Sequence, residues 1–151
     1  MPLFPRTRDI NAARIEEILS AASDRSRMMR LIIKDIEEAL VETRSREAKL
    51  LLQARDLGRE AALAEHQQAE LTEQARQALA AGREDLARSA LNEKYELDGE
   101  VADLRQRVIG FEAKAGAIAT EMTRLEAGLA AVRTRQASIE GEDPEATDSC
   151  Q

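Results

Sequence analysis

The stretch "GREDLARSAL", Gly82 to Leu91, lies near the middle of a 151-residue chain and separates two long segments of helical pattern. Glycine readily takes the left-handed conformation that closes a helix. Glu84 and Asp85 suit the first turn of a following helix, where the positive end of the helix dipole lies. No proline occurs between Pro5 and Pro144. Because proline is the strongest helix breaker, the pattern predicts one turn between two long helices.

Apolar residues recur at alternate steps of four and three residues on both sides of this turn. From Met29 to Ala78, about twelve of fifteen such positions are apolar. From Leu97 to Ile139 the same step holds for about six heptads, and only Gln136 is polar. Such a repeat requires a helical partner with a left-handed supercoil. We call these two sets of positions the first and second seams.

The sequence therefore predicts an all-α fold, a long antiparallel coiled-coil hairpin within residues 24–140. Its arms cover about 25–80 and 84–140, and its tip is Ala81-Gly82, continued by Arg83, Glu84 and Asp85. One continuous rod paired with a second chain is the alternative, because a glycine inside a helix costs only about 1 kcal/mol. The hairpin is favoured because it buries each seam against the other.

Residues 1–23 carry a separate amphipathic pattern, predicted to form a short N-terminal helix. Its apolar residues can enter a lipid interface while its arginines reach anionic headgroups. The candidate membrane-binding residues are Leu3, Phe4, Arg8, Ile10, Arg14, Ile15, Ile18 and Leu19. The alternative is a short helix docked on the base of the hairpin. Residues 141–151 are acidic and are predicted to form a disordered tail.

Composition argues against several classes of function. Aromatic residues make up 2% of the chain and charged residues 34%, which is typical of long helices and not of a compact core with a pocket. The net charge of −7 disfavours nucleic-acid binding. His66 stands among polar residues and Cys150 in the acidic tail, so we expect no catalytic residue, metal site or cofactor. The start lacks a signal-peptide core, which predicts a cytoplasmic protein that does not span a membrane.

Two runs add a family resemblance. The stretches "RLIIKDIEEALVETRSREAK", Arg30 to Lys49, and "GREDLARSALNEK", Gly82 to Lys94, resemble the signature stretches of phage shock protein A and the vesicle-inducing protein in plastids. These proteins are bacterial and plastid members of the ESCRT-III superfamily. The "LF" at 3 and 4, the "DI" at 9 and 10, and Asp24 fit as well. The resemblance covers about residues 1–140, and the end near residue 151 makes this a C-terminally short member, for which we expect limited polymerisation.

The resemblance implies a helical hairpin preceded by a membrane-active amphipathic helix, and self-assembly on stressed cytoplasmic membranes rich in anionic lipid. It also implies that Arg44 and Glu126 form an ion pair between neighbouring subunits. The predicted hairpin geometry agrees, because with the tip near Gly82 the residue facing Arg44 in its own hairpin is expected near position 120, more than a turn away from Glu126. In proteobacterial members the hairpin additionally binds and restrains an AAA+ transcription activator.

Three functions follow from these observations. The first is a peripheral membrane effector that binds anionic lipid on the inner face of the cytoplasmic membrane and assembles with copies of itself. The second is a soluble coiled-coil regulator that binds and inhibits the AAA+ activator of the phage shock operon. The third, a generic dimeric coiled-coil scaffold, explains the periodicity but not the signature runs.

Overall fold

The computed structural model describes residues 3–142 and contains three α-helices in that range. They are α1, Ala12–Ala21; α2, Arg25–Ala80; and α3, Glu84–Glu142. The long helices α2 and α3 pack against each other as a hairpin, which confirms the predicted fold class and excludes the continuous rod. Residues 143–151, most of the predicted tail, lie outside the described residues. Across the described range no helix is long and apolar enough to cross a membrane.

Gly82 closes α2 as its position in the sequence predicts. Its φ of 75° is the only positive value among the described residues. The amide of Arg83 donates to the carbonyl of Ala78 at 2.8 Å, and the amide of Gly82 donates to the carbonyl of Leu79 at 3.1 Å. These two bonds form a Schellman motif, which satisfies carbonyls that the end of α2 leaves without helical partners. Glu84 and Asp85 then occupy the first turn of α3.

Both seams face inward. Every residue of the first and second seams is buried or half-buried, and none is exposed. Thr43, one of three polar residues in the first seam and the only one of them that is fully buried, donates its hydroxyl to the carbonyl of Ala39 at 2.7 Å. The hydroxyl therefore needs no partner on the facing helix, and the seam tolerates it.

The chain divides into two compact units. The first lies within Met1–Glu47 and Ala117–Gln151 and contains the base of the hairpin. Its core consists of large aliphatic side chains that are almost completely buried, such as Leu19, Met29, Ile36 and Leu125. Burial of a side chain of this size stabilises the fold by about 1.5–3 kcal/mol.

The second unit, Ala48–Gly116, contains the tip. Its buried cluster is Leu71, Ala75, Ala87 and Ala90. Alanine allows close approach of two helices but offers little apolar area. The core of this unit therefore contributes less burial per residue than a core of leucine and isoleucine.

The N-terminal segment, which we define as residues 3–23, is less helical than predicted. Its α-helix covers only Ala12–Ala21, after a short 3₁₀ turn at Thr7–Asp9. Pro5 and the extended backbone of Arg6 and Asn11 prevent one continuous helix. Helices α1 and α2 each begin at a side-chain cap, because Asn11 accepts from the amide of Arg14 at 2.9 Å and Asp24 accepts from the amide of Arg27 at 3.1 Å.

Candidate functional site

The apolar side chains of the N-terminal segment are packed into the core of the first unit. Phe4 is 8% exposed, Ile10 and Ile15 are each 5% exposed, and Leu19 is fully buried. Leu3 and Ile18 pack against the same core and are half-buried. In this state the face expected to enter lipid is covered by the hairpin, so the docked arrangement considered above is the one that the structure shows.

Ile10 lies close to Gly128 of the hairpin. A Cβ atom placed on Gly128 of α3 would lie 3.5 Å from Cγ2 of Ile10, whereas at the other glycines nothing lies within 4 Å. A Cβ atom at position 128 would therefore make an ordinary van der Waals contact with Ile10. Ile10 itself has a non-helical backbone, with φ −79° and ψ 87°, between the 3₁₀ turn and α1.

Three polar contacts also join the N-terminal segment to the hairpin. The amide of Leu3 donates to a carboxylate oxygen of Asp35 at 3.1 Å. The hydroxyl of Thr7 donates to the carboxylate of Glu121. Nε of Arg135 donates to Oε1 of Glu16 at 3.0 Å. Because these contacts lie in exposed or half-buried places, water can replace them at small cost.

The candidate lipid-facing arginines lie outside this docking contact. Arg8 is exposed. Arg14 is half-buried, and its Nη1 lies 3.2 Å from Oε1 of Glu17, one turn further along α1. Since that ion pair is internal to α1, it does not tie the helix to the hairpin.

Arg44 and Glu126 contact each other within one chain. Nη2 of Arg44 lies 3.4 Å from Oε1 of Glu126. Our geometric expectation that Glu126 is out of reach in the same hairpin is wrong. Nη2 of Arg133 also pairs with Oε1 of Glu37 at 3.0 Å, one heptad from the first pair on each helix. Each of these two pairs joins side chains that lie several residues away from positions that mirror each other about Gly82. A pairing between subunits stays a prediction.

In the second unit, one ion pair between the helices perturbs both of its members. Nε of Arg105 donates to Oε1 of Glu65 at 2.8 Å. This hydrogen bond lowers the pKa of Glu65 and raises the pKa of Arg105, because it favours the charged form of each side chain. The two side chains are solvent-exposed, so the pair helps to set the register and contributes little to stability.

Nothing in the described range suggests catalysis. His66 is exposed, and its Nε2 lies 3.1 Å from Oε1 of Glu70 on the same helix. Across residues 3–142 no group of three or more histidine, cysteine, aspartate or glutamate residues is arranged to hold a metal ion.

The sequence analysis missed a second periodic face of α3. Fifteen consecutive positions at steps of three and four residues, from Asn92 to Gly141, contain no charged residue, and all fifteen are exposed. In a chain that is 34% charged, roughly five charges would be expected there. We call these positions the uncharged face of α3. The same periodic count, started at Asn92 instead of Leu97, would have found it. Its largest members are Tyr95, which is 77% exposed, and Ile109.

The fold and the site together define a class, namely helical-hairpin proteins in which an amphipathic N-terminal segment lies at the base of the hairpin. The chain belongs to the PspA/IM30 family, whose model matches residues 2–140. This confirms the resemblance inferred from the sequence. A phage shock protein A homolog of Deinococcus radiodurans is 33% identical over 91 residues, which are 60% of this chain and 41% of that protein. The chain matches less than half of that relative's length.

Proposed function

We propose that this protein is a phage-shock-type peripheral membrane protein. It binds anionic cytoplasmic membrane under envelope stress and self-assembles there to protect or remodel the membrane. The observation that carries the proposal is the composition of the N-terminal segment, in which one apolar face is accompanied by arginines that do not take part in docking. Family membership supports the same function. The expected location is the inner face of the cytoplasmic membrane.

The chemistry of lipid binding follows from two groups of side chains. Phe4, Ile15 and Leu19 supply apolar area for the boundary between headgroups and acyl chains. Arg8 and Arg14 supply attraction to anionic headgroups, worth about 1 kcal/mol for each basic residue near the surface. This electrostatic part is screened by salt.

The test is co-sedimentation with vesicles that contain anionic lipid, at low and high salt. Removing the segment is a poor perturbation, because it uncovers Met29, Ile32 and Ile36 in the core of the first unit. Charge reversal leaves that core intact. We expect Arg8→Glu with Arg14→Glu to lower the binding constant at least tenfold at low salt. The matched control, Arg88→Glu with Arg107→Glu, makes the same change of charge at exposed positions of α3.

Equal binding by the two double variants would contradict a specific role of the N-terminal segment. Absence of binding in every form, at every salt concentration, would favour the alternative, a soluble regulator of an AAA+ transcription activator. The docked segment supports that alternative, because an apolar face that stays buried in the protein core is not exposed to bind lipid.

Self-assembly is the second part of the proposal. The uncharged face of α3 supports it, because another copy of this hairpin can approach there without placing an unpaired charge in the contact. Tyr95 and Ile109 offer apolar area for that contact, and the small residues around them allow two helices to come close. The resemblance additionally assigns Arg44 and Glu126 to a contact between subunits.

A further inference from the structure

The same side chains are required in two places. Phe4, Ile10, Ile15 and Leu19 are buried in the core of the first unit, and they also form the apolar face that the proposed function places in lipid. A side chain cannot occupy both environments. Lipid insertion therefore has to follow release of the N-terminal segment from the hairpin.

The polar contacts are distributed along the whole segment. Leu3 is held by Asp35 of α2, Thr7 by Glu121 of α3, and Glu16 by Arg135 of α3. Polar contacts therefore hold the N-terminal segment to the hairpin near its start, at the 3₁₀ turn and within α1. Each point joins the moving segment to a long helix that remains in place, and each lies where water can replace it.

We infer that this docking is an autoinhibitory latch, so that the docked chain is the closed state for membrane binding and release of the N-terminal segment exposes the lipid-binding face. The inference rests on the proposed membrane function. Apparent affinity for a vesicle then equals the affinity of the released state reduced by the fraction of chains that are released. A change on the hairpin that weakens docking raises vesicle binding without touching any side chain that meets lipid.

Arg135→Glu tests whether weaker docking of the N-terminal segment raises vesicle binding. The substitution places a carboxylate against Glu16, and we expect about a threefold gain in binding to anionic vesicles, the size of effect typical of an exposed ion pair. It also makes the chain more acidic, so simple electrostatics predicts a loss. Arg107→Glu, exposed on α3 in the second unit, is the matched control and should show only that loss.

A second variant should weaken docking by adding side-chain volume beneath the N-terminal segment. Gly128→Leu fills the space beside Ile10, and we expect it to displace the segment and raise vesicle binding about tenfold. Hydrogen exchange of the amides of Ala12–Ala21 provides a readout without lipid. Exchange there should become faster in Arg135→Glu and Gly128→Leu, and should stay unchanged in Arg107→Glu.

A disulfide tests whether holding the N-terminal segment on the hairpin lowers vesicle binding. The contact between Ile10 and Gly128 puts cysteine Cβ atoms at these positions within about 5 Å, close to the distance that a disulfide spans. In a chain with Cys150→Ser, we expect Ile10→Cys with Gly128→Cys to bind vesicles at least tenfold less tightly when oxidised than when reduced. The reduced form of the same protein is the comparison, and each single-cysteine variant should not respond to oxidation.

The outcomes separate the latch from the membrane function. Equal vesicle binding by the oxidised and reduced forms, with reduced binding by the Arg8 and Arg14 double variant, overturns the latch and leaves the membrane function in place. Unchanged hydrogen exchange in both opening variants also overturns the latch. Faster exchange with no vesicle binding by any form overturns the membrane function, and the latch with it.

Discussion

Ile10 of the N-terminal segment packs over Gly128 of α3, at a place where an added Cβ atom would lie 3.5 Å from Cγ2 of Ile10. A separation of 3.5 Å is an ordinary van der Waals distance, so one methyl group fits and a larger side chain does not. The space beside Ile10 thus limits position 128 to a side chain of about the size of alanine, and Gly128 also costs stability as a glycine inside a helix.

We expect Gly128→Ala to stabilise the protein by about 0.5–1 kcal/mol, because alanine loses less backbone entropy than glycine on forming a helix. For a chain of this length the melting temperature should rise by about 1–4 °C. Gly110→Ala is the control, since nothing lies within 4 Å of a Cβ atom there. A fall in melting temperature for Gly128→Ala, with a rise for Gly110→Ala, would show that Ile10 approaches more closely than the structure indicates.

The sequence predicted the hairpin because heptad periodicity and turn chemistry are local signals. Residue spacing alone predicts the second seam and the turn at Gly82. In the structure every seam position is at least half-buried. The exact register between the helices is not a local property. It depends on how side chains of different size interlock along the whole interface, and the contact between Arg44 and Glu126 shows the resulting offset.

The sequence offered docking of the N-terminal segment as an alternative to lipid binding but could not decide between the two. An amphipathic face with Ile15 and Leu19 suits lipid and a protein core equally well, because both environments are apolar. What selects the core is a matching surface on another part of the chain. That surface includes Ile32, which is fully buried although it lies outside the first seam. Ile32, an additional apolar residue next to the first seam, was the signal in the sequence that another segment packs there.

Glu65 and Arg105 should confer a small, pH-dependent stability. The pKa of Glu65 is lowered in the folded chain, so the contribution is complete above the ordinary carboxyl range and is lost as pH falls through the lowered pKa. Glu65→Gln should therefore reduce the melting temperature at pH 7, and the reduction should shrink as pH falls below the ordinary carboxyl range and the carboxylate becomes protonated. Added salt should shrink the difference at pH 7.

Glu60→Gln, at an exposed position of the same helix, is the matched control for the loss of one carboxylate. An equal reduction of the melting temperature at pH 7 in both variants would attribute the effect to net charge. A Glu65→Gln effect that does not shrink as pH falls below the ordinary carboxyl range would show that the hydrogen-bonding geometry, and not the charge, carries the contribution.

The contact between Arg44 and Glu126 predicts the behaviour of charge reversals. Arg44→Glu should lower stability by at most about 1 kcal/mol, because an exposed ion pair is weak and is replaced by repulsion. Arg44→Glu with Glu126→Arg should recover the melting temperature, since the pair is restored within the chain. An equal mixture of the two single variants should not recover it.

Light scattering on the same samples tests the assignment of this pair to a contact between subunits. If the pair acts between chains, each single variant forms smaller assemblies and the mixture of the two regains the original size. Unchanged assembly size in both single variants, with the stability pattern described above, would restrict the pair to the hairpin.

The uncharged face of α3 leads to a last prediction about assembly. Ala113→Glu adds one charge at an exposed position of this face, where the folded monomer has room for it. We expect the melting temperature to change little, because substitutions at exposed helix positions away from special contacts are usually within about 0.5 kcal/mol. The mean assembly size by light scattering should fall, since a contact between copies would have to bury the new carboxylate without a partner.

Ala62→Glu makes the same change at an exposed position of α2, whose outward side already carries charges, and should leave assembly size unchanged. Equal effects of the two variants would place the contact elsewhere on the hairpin.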